Sequence, residues 1–209
     1  MKNRFGMFIH WGIYALYADH EQVLARRNLD NAAYERRMAE FNPVRYDPEE
    51  WVKLAKDAGM RYICFTAKHH DGFCMWDTRE TAYNIMNTPY GRDVLKLLSD
   101  ACRKHGMALS LYYSNPDWHE PSAYNPLSTH QWKSIDPSKG GSEKYRAFVK
   151  AQLTELLTNY GPIYTLFWDI PPRYEDPSLN ALARRLQPGI LINDRGYDAG
   201  DFSTPERSR

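Results

Sequence analysis

The sequence has almost no excess of charge. Its 27 Lys and Arg stand against 26 Asp and Glu, which leaves neither a basic footprint for nucleic acid nor an acidic tail. It lacks long apolar runs, and none approaches the roughly 18 residues needed to cross a bilayer. Cysteine is scarce. Cys64, Cys74 and Cys102 are odd in number and contain no CxxC spacing, which argues against a disulfide framework and against a thiolate zinc site. Cys64 and Cys102 fall within apolar patterns and read as core residues. No GxGxxG or GxxxxGK[ST] follows the first strand candidate, which weakens the dinucleotide and P-loop readings. The N-terminus, MKNRFGMFIHWG, has neither an apolar h-region nor a small-residue cleavage site, so it does not read as a signal peptide. On that reading the chain is cytoplasmic if complete, and secreted or periplasmic if a leader precedes it.

Aromatics are plentiful, with 15 Tyr and 6 Trp. That load suits stacking against sugar-like ligands, and ordinary cores use it as well. The 209 residues suffice for one domain with a substantial core. Five short apolar runs read as strands: 5–11, 61–67, 107–114, 163–169 and 189–194. Most are nearly continuous in apolar character, as in strands buried on both faces of a parallel sheet. Helical stripes separate them. In DPEEWVKLAKDAG, Asp47 fits an N-cap, Pro48 fits the first turn, and Trp51, Leu54, Ala55 and Ala58 form the stripe. Val94, Leu97, Leu98 and Ala101 form a second, stopped by Gly106. Val149, Leu153, Leu156, Leu157 and Tyr160 form a third, and Leu179, Leu182, Ala183 and Leu186 a fourth.

Alternating strands and helices predict an α/β fold, either a (β/α)8 barrel or an open doubly wound sheet. Polar residues recur at the C-terminal end of successive strands: His10, His69 with His70, Tyr112, Asp169, and Asp194 with Arg195. Such a rim favours the TIM-barrel type. Only about five βα units are present where a barrel needs eight. The expectation is therefore a single, partial barrel domain over residues 1–209. Its open sheet edges would be covered by a missing C-terminal segment or by a second copy. Residues 115–143, rich in Pro, Ser and aromatics, form a long loop on the substrate side.

Asp169 follows Leu166, Phe167 and Trp168 directly. A carboxylate there reads either as a cap or ion-pair partner, or as a nucleophile or acid/base at the barrel mouth. A second carboxylate nearby is what glycoside hydrolysis requires. Glu206 is one candidate, and Asp198 and Asp201 compete on spacing alone. The histidines admit a metal site, but adjacent residues diverge on a strand and no HxH or HExxH spacing is present. Structural hydrogen bonding is a second reading. Neutral imidazoles that grip ligand hydroxyls are a third, since each ring is both donor and acceptor.

Several stretches together resemble one family. RFGMFIHWGIYAL, FNPVRYDPEEWVKLAKDAGMRYICFTAKHHDGFCMWDT, GRDVLKLL, SLYYSNPDWHEP, LFWDI, NDR and GDFSTPE are similar to the catalytic domain of the α-L-fucosidases, glycoside hydrolase family 29. The resemblance covers essentially the whole chain. It implies that Asp169 is the nucleophile and Glu206 the acid/base of a retaining exo-glycosidase. It further implies that His10, Glu21, His69, His70 and Arg195 hold sugar hydroxyls and that Tyr112 faces the ring. Trp76, Tyr112 and Trp168 are candidates for an apolar wall against the fucose methyl, and Asp71 is expected to be structural. No metal or organic cofactor is implied. The expected partner is a fucosylated oligosaccharide or glycoconjugate, with no nucleic acid and no membrane. One departure stands out: Gln22 follows Glu21 where many members carry Trp. It keeps open a related glycosidase for another sugar, such as an α-galactoside, and the count of only five strands keeps open an inactive sugar-binding fragment.

Overall fold

The apolar runs pair with one another in the order in which they occur. The structure, a computed structural model, describes residues 3–123, 143–172 and 176–205. Five strands, β1 (Gly6–Ile9), β2 (Tyr62–Lys68), β3 (Ala108–Ser114), β4 (Ile163–Asp169) and β5 (Leu191–Ile192), form one sheet in the order β1-β2-β3-β4-β5. Every pairing is parallel. A doubly wound sheet reverses its strand order at a switch point. Here the order never reverses, which is the arrangement of consecutive units in a (β/α)8 barrel. β5 contributes only two residues to the ladder. Beyond it, the Asn193 side chain takes over, accepting from the Trp168 N–H and donating to the Trp168 carbonyl, both at 2.8 Å.

Among the described residues six α-helices lie between the strands: α1 (Val23–Arg26), α2 (Asn31–Arg36), α3 (Pro48–Asp57), α4 (Val94–His105), α5 (Glu143–Asn159) and α6 (Pro177–Leu186). Local chemistry sets their ends. Asp30, Asp47, Asp93 and Asp176 are N-caps whose carboxylates accept first-turn N–H groups. Gly106 closes α4 at φ 65, a conformation that costs a glycine little. α3 buries Val52 and Ala55 and leaves Leu54 62% exposed, so the stripe predicted through Leu54 is rotated away from the core. The short helices α1 and α2 occupy the part of the β1–β2 connection before α3, for which the sequence pattern predicts no element. They are too short to show a helical period, and their buried residues are Val23, Leu24 and Tyr34, with Ala25 packed partly against the core. Among the described residues no helix is long and apolar enough to cross a membrane.

Side chains alternate between the two faces of the sheet. On β3, Tyr112 stacks on Phe167 on the concave face, whereas Tyr113 donates to Gln152 of α5 at 2.6 Å. β2 carries one extra residue between Thr66 and Lys68: Thr66 pairs with Tyr112 and Lys68 with Tyr113. This bulge reverses the parity of everything after it. Lys68 turns to the helix side, its ammonium 4.4 Å from the Tyr113 ring centroid, and His69 is delivered to the concave side.

Candidate active site

The site is assembled from the C-terminal ends of β1 to β5. β4 ends at Asp169, whose side chain is only 14% exposed. Tyr112 donates to Asp169 Oδ2 at 2.6 Å, and Arg195 Nη1 donates to Oδ1 at 2.9 Å. Arg195 is held in turn by the Thr204 carbonyl, which accepts from Nε at 3.1 Å and from Nη2 at 2.7 Å. Ile170, the next residue, sits at φ 57. A β-branched residue in the left-handed region costs on the order of 1–3 kcal/mol. Asn115 holds it there: its Nδ2 donates to the Ile170 carbonyl at 2.8 Å, and its N–H donates to the Asp169 carbonyl at 3.0 Å.

Three histidines converge on the same place. His69 and His70 lie in the turn after β2 rather than on the strand, so they do not diverge. Their ring centroids are 4.2 Å apart. His69 stacks on Tyr112, with centroids 5.5 Å apart and planes 4° apart, and it meets His10 edge-on at 5.7 Å. Its Nδ1 is buried without a hydrogen-bond partner. His70 Nε2 lies 3.7 Å from Asp169 Oδ2. Burial lowers the pKa of His10, opposed by the charges of Glu21 and Asp169. It holds His69 well below the usual range and drives His70 down to about 4. The imidazoles are therefore neutral near pH 7, each with one N–H to donate and one lone pair to accept. Burial and the Asp169 carboxylate raise Tyr112 well above the usual phenol range, so it remains a donor. Glu21, on the turn before α1, acts electrostatically on His10, Tyr14, His70 and Tyr112. Gln22 stands at the head of α1.

His10, Glu21, His69, His70, Tyr112, Asp169 and Arg195 are thus brought together at the strand ends. Glu206 lies outside the described residues. Two expected wall residues are elsewhere. Trp168 faces the helices and donates from Nε1 to Asn180 of α6 at 2.9 Å. Trp76 is fully buried, with Nε1 donating to Glu155 of α5 at 3.0 Å. Strand parity explains the first correction: the residue sharing a face with Asp169 is Phe167, two before it, not Trp168. Phe167 packs on Phe8 at 5.3 Å and on Tyr112 at 5.8 Å, and Phe8 packs on His10 at 4.7 Å. The apolar wall beside Asp169 is therefore Phe8, Tyr112 and Phe167. The period-2 rule applied backward from His10 and Asp169 finds both phenylalanines. Asp71 is buried, accepting from the Tyr34 hydroxyl at 2.7 Å and the Phe73 N–H at 3.1 Å, a structural placement.

His69, His70 and Asp169 offer three ligand atoms within 4.8 Å of one another. The donor set resembles a cation site, but both Asp169 oxygens already accept from Tyr112 and Arg195, and the guanidinium opposes a second positive charge. A neutral polyol fits better. It offers hydroxyls to imidazole lone pairs and an apolar face to the aromatic wall.

The α-L-fucosidase family model matches residues 1–209. The chain belongs to the α-L-fucosidase family. It is 32% identical over 169 residues to α-L-fucosidase 1 of Arabidopsis thaliana, covering 76% of this chain and 30% of that protein. It is 31% identical over 220 residues to the human tissue α-L-fucosidase, covering 92% and 45%. Among solved structures, α-L-fucosidase isoenzyme 1 from Paenibacillus thiaminolyticus superposes with a TM-score of 0.84 at 40% identity, covering 97% of this chain and 53% of that one. The α-L-fucosidase AlfC from Lactobacillus casei, solved in complex with α-L-fucose product, gives 0.85 at 31% identity, covering 98% and 73%. This chain thus spans less than half the length of the Arabidopsis and human relatives, and its five parallel strands in consecutive order are of the (β/α)8-barrel type.

Proposed function

We propose that this chain carries the fucose-binding half of a retaining α-L-fucosidase site, with Asp169 as the nucleophile. The observation that carries this reading is the setting of Asp169: two charge-directed donors, three neutral histidines and an aromatic wall around one partly buried carboxylate. Asp169 attacks the anomeric carbon of a terminal α-L-fucosyl unit while Glu206 protonates the glycosidic oxygen. The leaving alcohol departs with that proton, and Glu206 then takes a proton from water, which attacks the anomeric carbon of the glycosyl-enzyme, frees fucose and regenerates the Asp169 carboxylate. Retention by this route calls for carboxyl groups about 5–5.5 Å apart. Tyr112 and Arg195 orient the nucleophile by donating to its two oxygens. His10, Glu21, His69 and His70 bind the hydroxyls, and Phe8, Tyr112 and Phe167 meet the methyl-bearing face. The substrate is a fucosylated oligosaccharide or glycoconjugate.

The test is hydrolysis of 4-nitrophenyl α-L-fucoside by the purified chain, with Asp169→Ala and the matching α-galactoside alongside. The expected result is fucoside turnover that falls by ~10³-fold or more in the variant. Turnover unaffected by the substitution, or faster release from the galactoside, contradicts the reading.

A further inference from the structure

The hydroxyl of Ser114, at the end of β3, lies 2.6 Å from two groups at once: Nδ1 of His70 and the carbonyl oxygen of Pro116. A hydroxyl has one proton to give, and a carbonyl oxygen can only accept. The Ser114 proton therefore goes to Pro116. The contact with His70 must run the other way, from Nδ1–H to Oγ. A neutral imidazole has a single N–H, so Nε2 is left with its lone pair. That atom faces Asp169 Oδ2 at 3.7 Å, a second acceptor. Two acceptors do not bond to each other. They are satisfied together only by a donor placed against both.

The geometry that sets this proton is rigid. Ser114 and His70 are both buried. Trp118 donates its N–H to the His70 carbonyl at 2.7 Å. The Lys68 ammonium donates to Asp117 Oδ2 at 2.6 Å, with both side chains buried. The other Asp117 oxygen accepts the N–H groups of His119 and Glu120. Tyr145 of α5 donates to the Asn115 carbonyl at 2.6 Å. The segment carrying Pro116 is thus fastened to the same turn that carries His70, and neither end of the relay can swing free.

We infer that Ser114 is a positioning residue that fixes His70 as its Nδ1–H tautomer, so that the site demands a hydrogen-bond donor from its ligand beside Asp169. This rests on the fucoside reading and sharpens it. With Asp169 aimed at the anomeric carbon, the group against His70 Nε2 is the hydroxyl on the adjacent ring carbon. An ether or a fluorine there presents one more acceptor and is rejected.

Two measurements test the inference. Long-range ¹H–¹⁵N correlation spectra of the ¹⁵N-labelled 209-residue chain at pH 7, with His70 assigned by its loss in His70→Asn, report the tautomer directly. A protonated Nδ1 and a bare Nε2 are expected, and a protonated Nε2 overturns the inference. The second measurement is calorimetric binding of L-fucose and of 2-deoxy-2-fluoro-L-fucose to the parent and to Ser114→Ala. The parent is expected to prefer L-fucose by ~10-fold or more. In Ser114→Ala the His70 proton is free to move to Nε2, and the preference narrows to within ~3-fold. Equal binding of both sugars by the parent overturns the inference. Should neither sugar bind, the fucose reading fails for this chain, and the spectrum still decides the tautomer.

Discussion

Phe167 and Trp168 are neighbours in sequence and serve opposite faces of one strand. Phe167 lies beside Tyr112 and Phe8 at the candidate site, and Trp168 is buried under α6 with its indole N–H on Asn180. Their truncations should separate cleanly. Phe167→Ala should raise KM for the fucoside roughly tenfold with little change in the unfolding midpoint. Trp168→Ala should cost about 3–5 kcal/mol of stability, read by urea denaturation. The reverse pattern would place the wall on the wrong face. His70 carries a different kind of prediction. It binds a proton near 6.5 when unfolded and near 4 when folded. Above pH 6.5 both states are neutral. As the pH falls below 6.5, the unfolded chain takes a proton that the folded chain refuses, and stability is lost until about pH 4. Asp71, pushed up to about 6 by burial, works in the opposite sense over much of that range, so the parent alone is ambiguous. The comparison with His70→Asn isolates the histidine. Between pH 6.5 and 4 the variant should lose about 3 kcal/mol less than the parent, as measured by denaturant titration at the two pH values.

At the scale of elements, the bulge in β2 and the turn that follows it decide which side chains reach the site. One extra residue sends Lys68 to the helix side and His69 to the concave side. The turn then fits against the β3 loop with no room to spare. Gly72 sits at φ 80, and a Cβ there would come within 2.4 Å of Asp117 Oδ1 and 2.7 Å of His119 Cβ. The Lys68–Asp117 pair locks the two segments together. Asp117→Asn or Lys68→Met leaves an uncompensated buried charge, and each should destabilise by about 3–5 kcal/mol. The double substitution should cost less than the sum of the singles. Additive costs in a double-mutant cycle would mean that the pair is not coupled. These residues bind no sugar in the reading above; they set where the histidines point.

At the scale of the whole molecule, β1 and β5 each pair on one side only among the described residues. The concave face between them is lined by Phe8, Tyr62, Cys64, Thr165 and Phe167, and Phe5 and Phe8 are 53% and 45% exposed. Asp201 covers the outer edge of β5, accepting the Ile192 N–H and donating to its carbonyl, but an open apolar face beside the β1 edge associates readily. The 209-residue chain produced by itself should bind a hydrophobic dye such as ANS and elute from size exclusion as concentration-dependent oligomers. A monomer at all concentrations that leaves the dye dark would contradict this.

Much of this was legible in the sequence because the signals are local. Alternating apolar runs and amphipathic stripes predicted the five strands and the four longer helices. The polar residues closing those runs predicted a rim of His10, His69, His70, Tyr112, Asp169 and Asp194 with Arg195, of which Asp194 instead accepts from Thr204. The family resemblance pointed to Asp169 as the nucleophile of a fucosidase. The folded arrangement decided what depends on parity and on partners distant in sequence. A one-residue bulge has no composition signal, yet it sets the face of every residue after it. The strand also ends at Lys68, so the adjacent histidines lie in a turn and meet instead of diverging. Strand parity placed Phe167 and not Trp168 beside the carboxylate, and burial under α5 took Trp76 out of the site. The directions of two hydrogen bonds, from His70 Nδ1–H to Ser114 Oγ and from the Ser114 hydroxyl to the Pro116 carbonyl, follow from the positions of three atoms on two chain segments. The sequence by itself determined which residues were available for the chemistry. Only the tertiary structure decided which way each one faces, because facing is a property of pairs and the pairs are far apart in the chain.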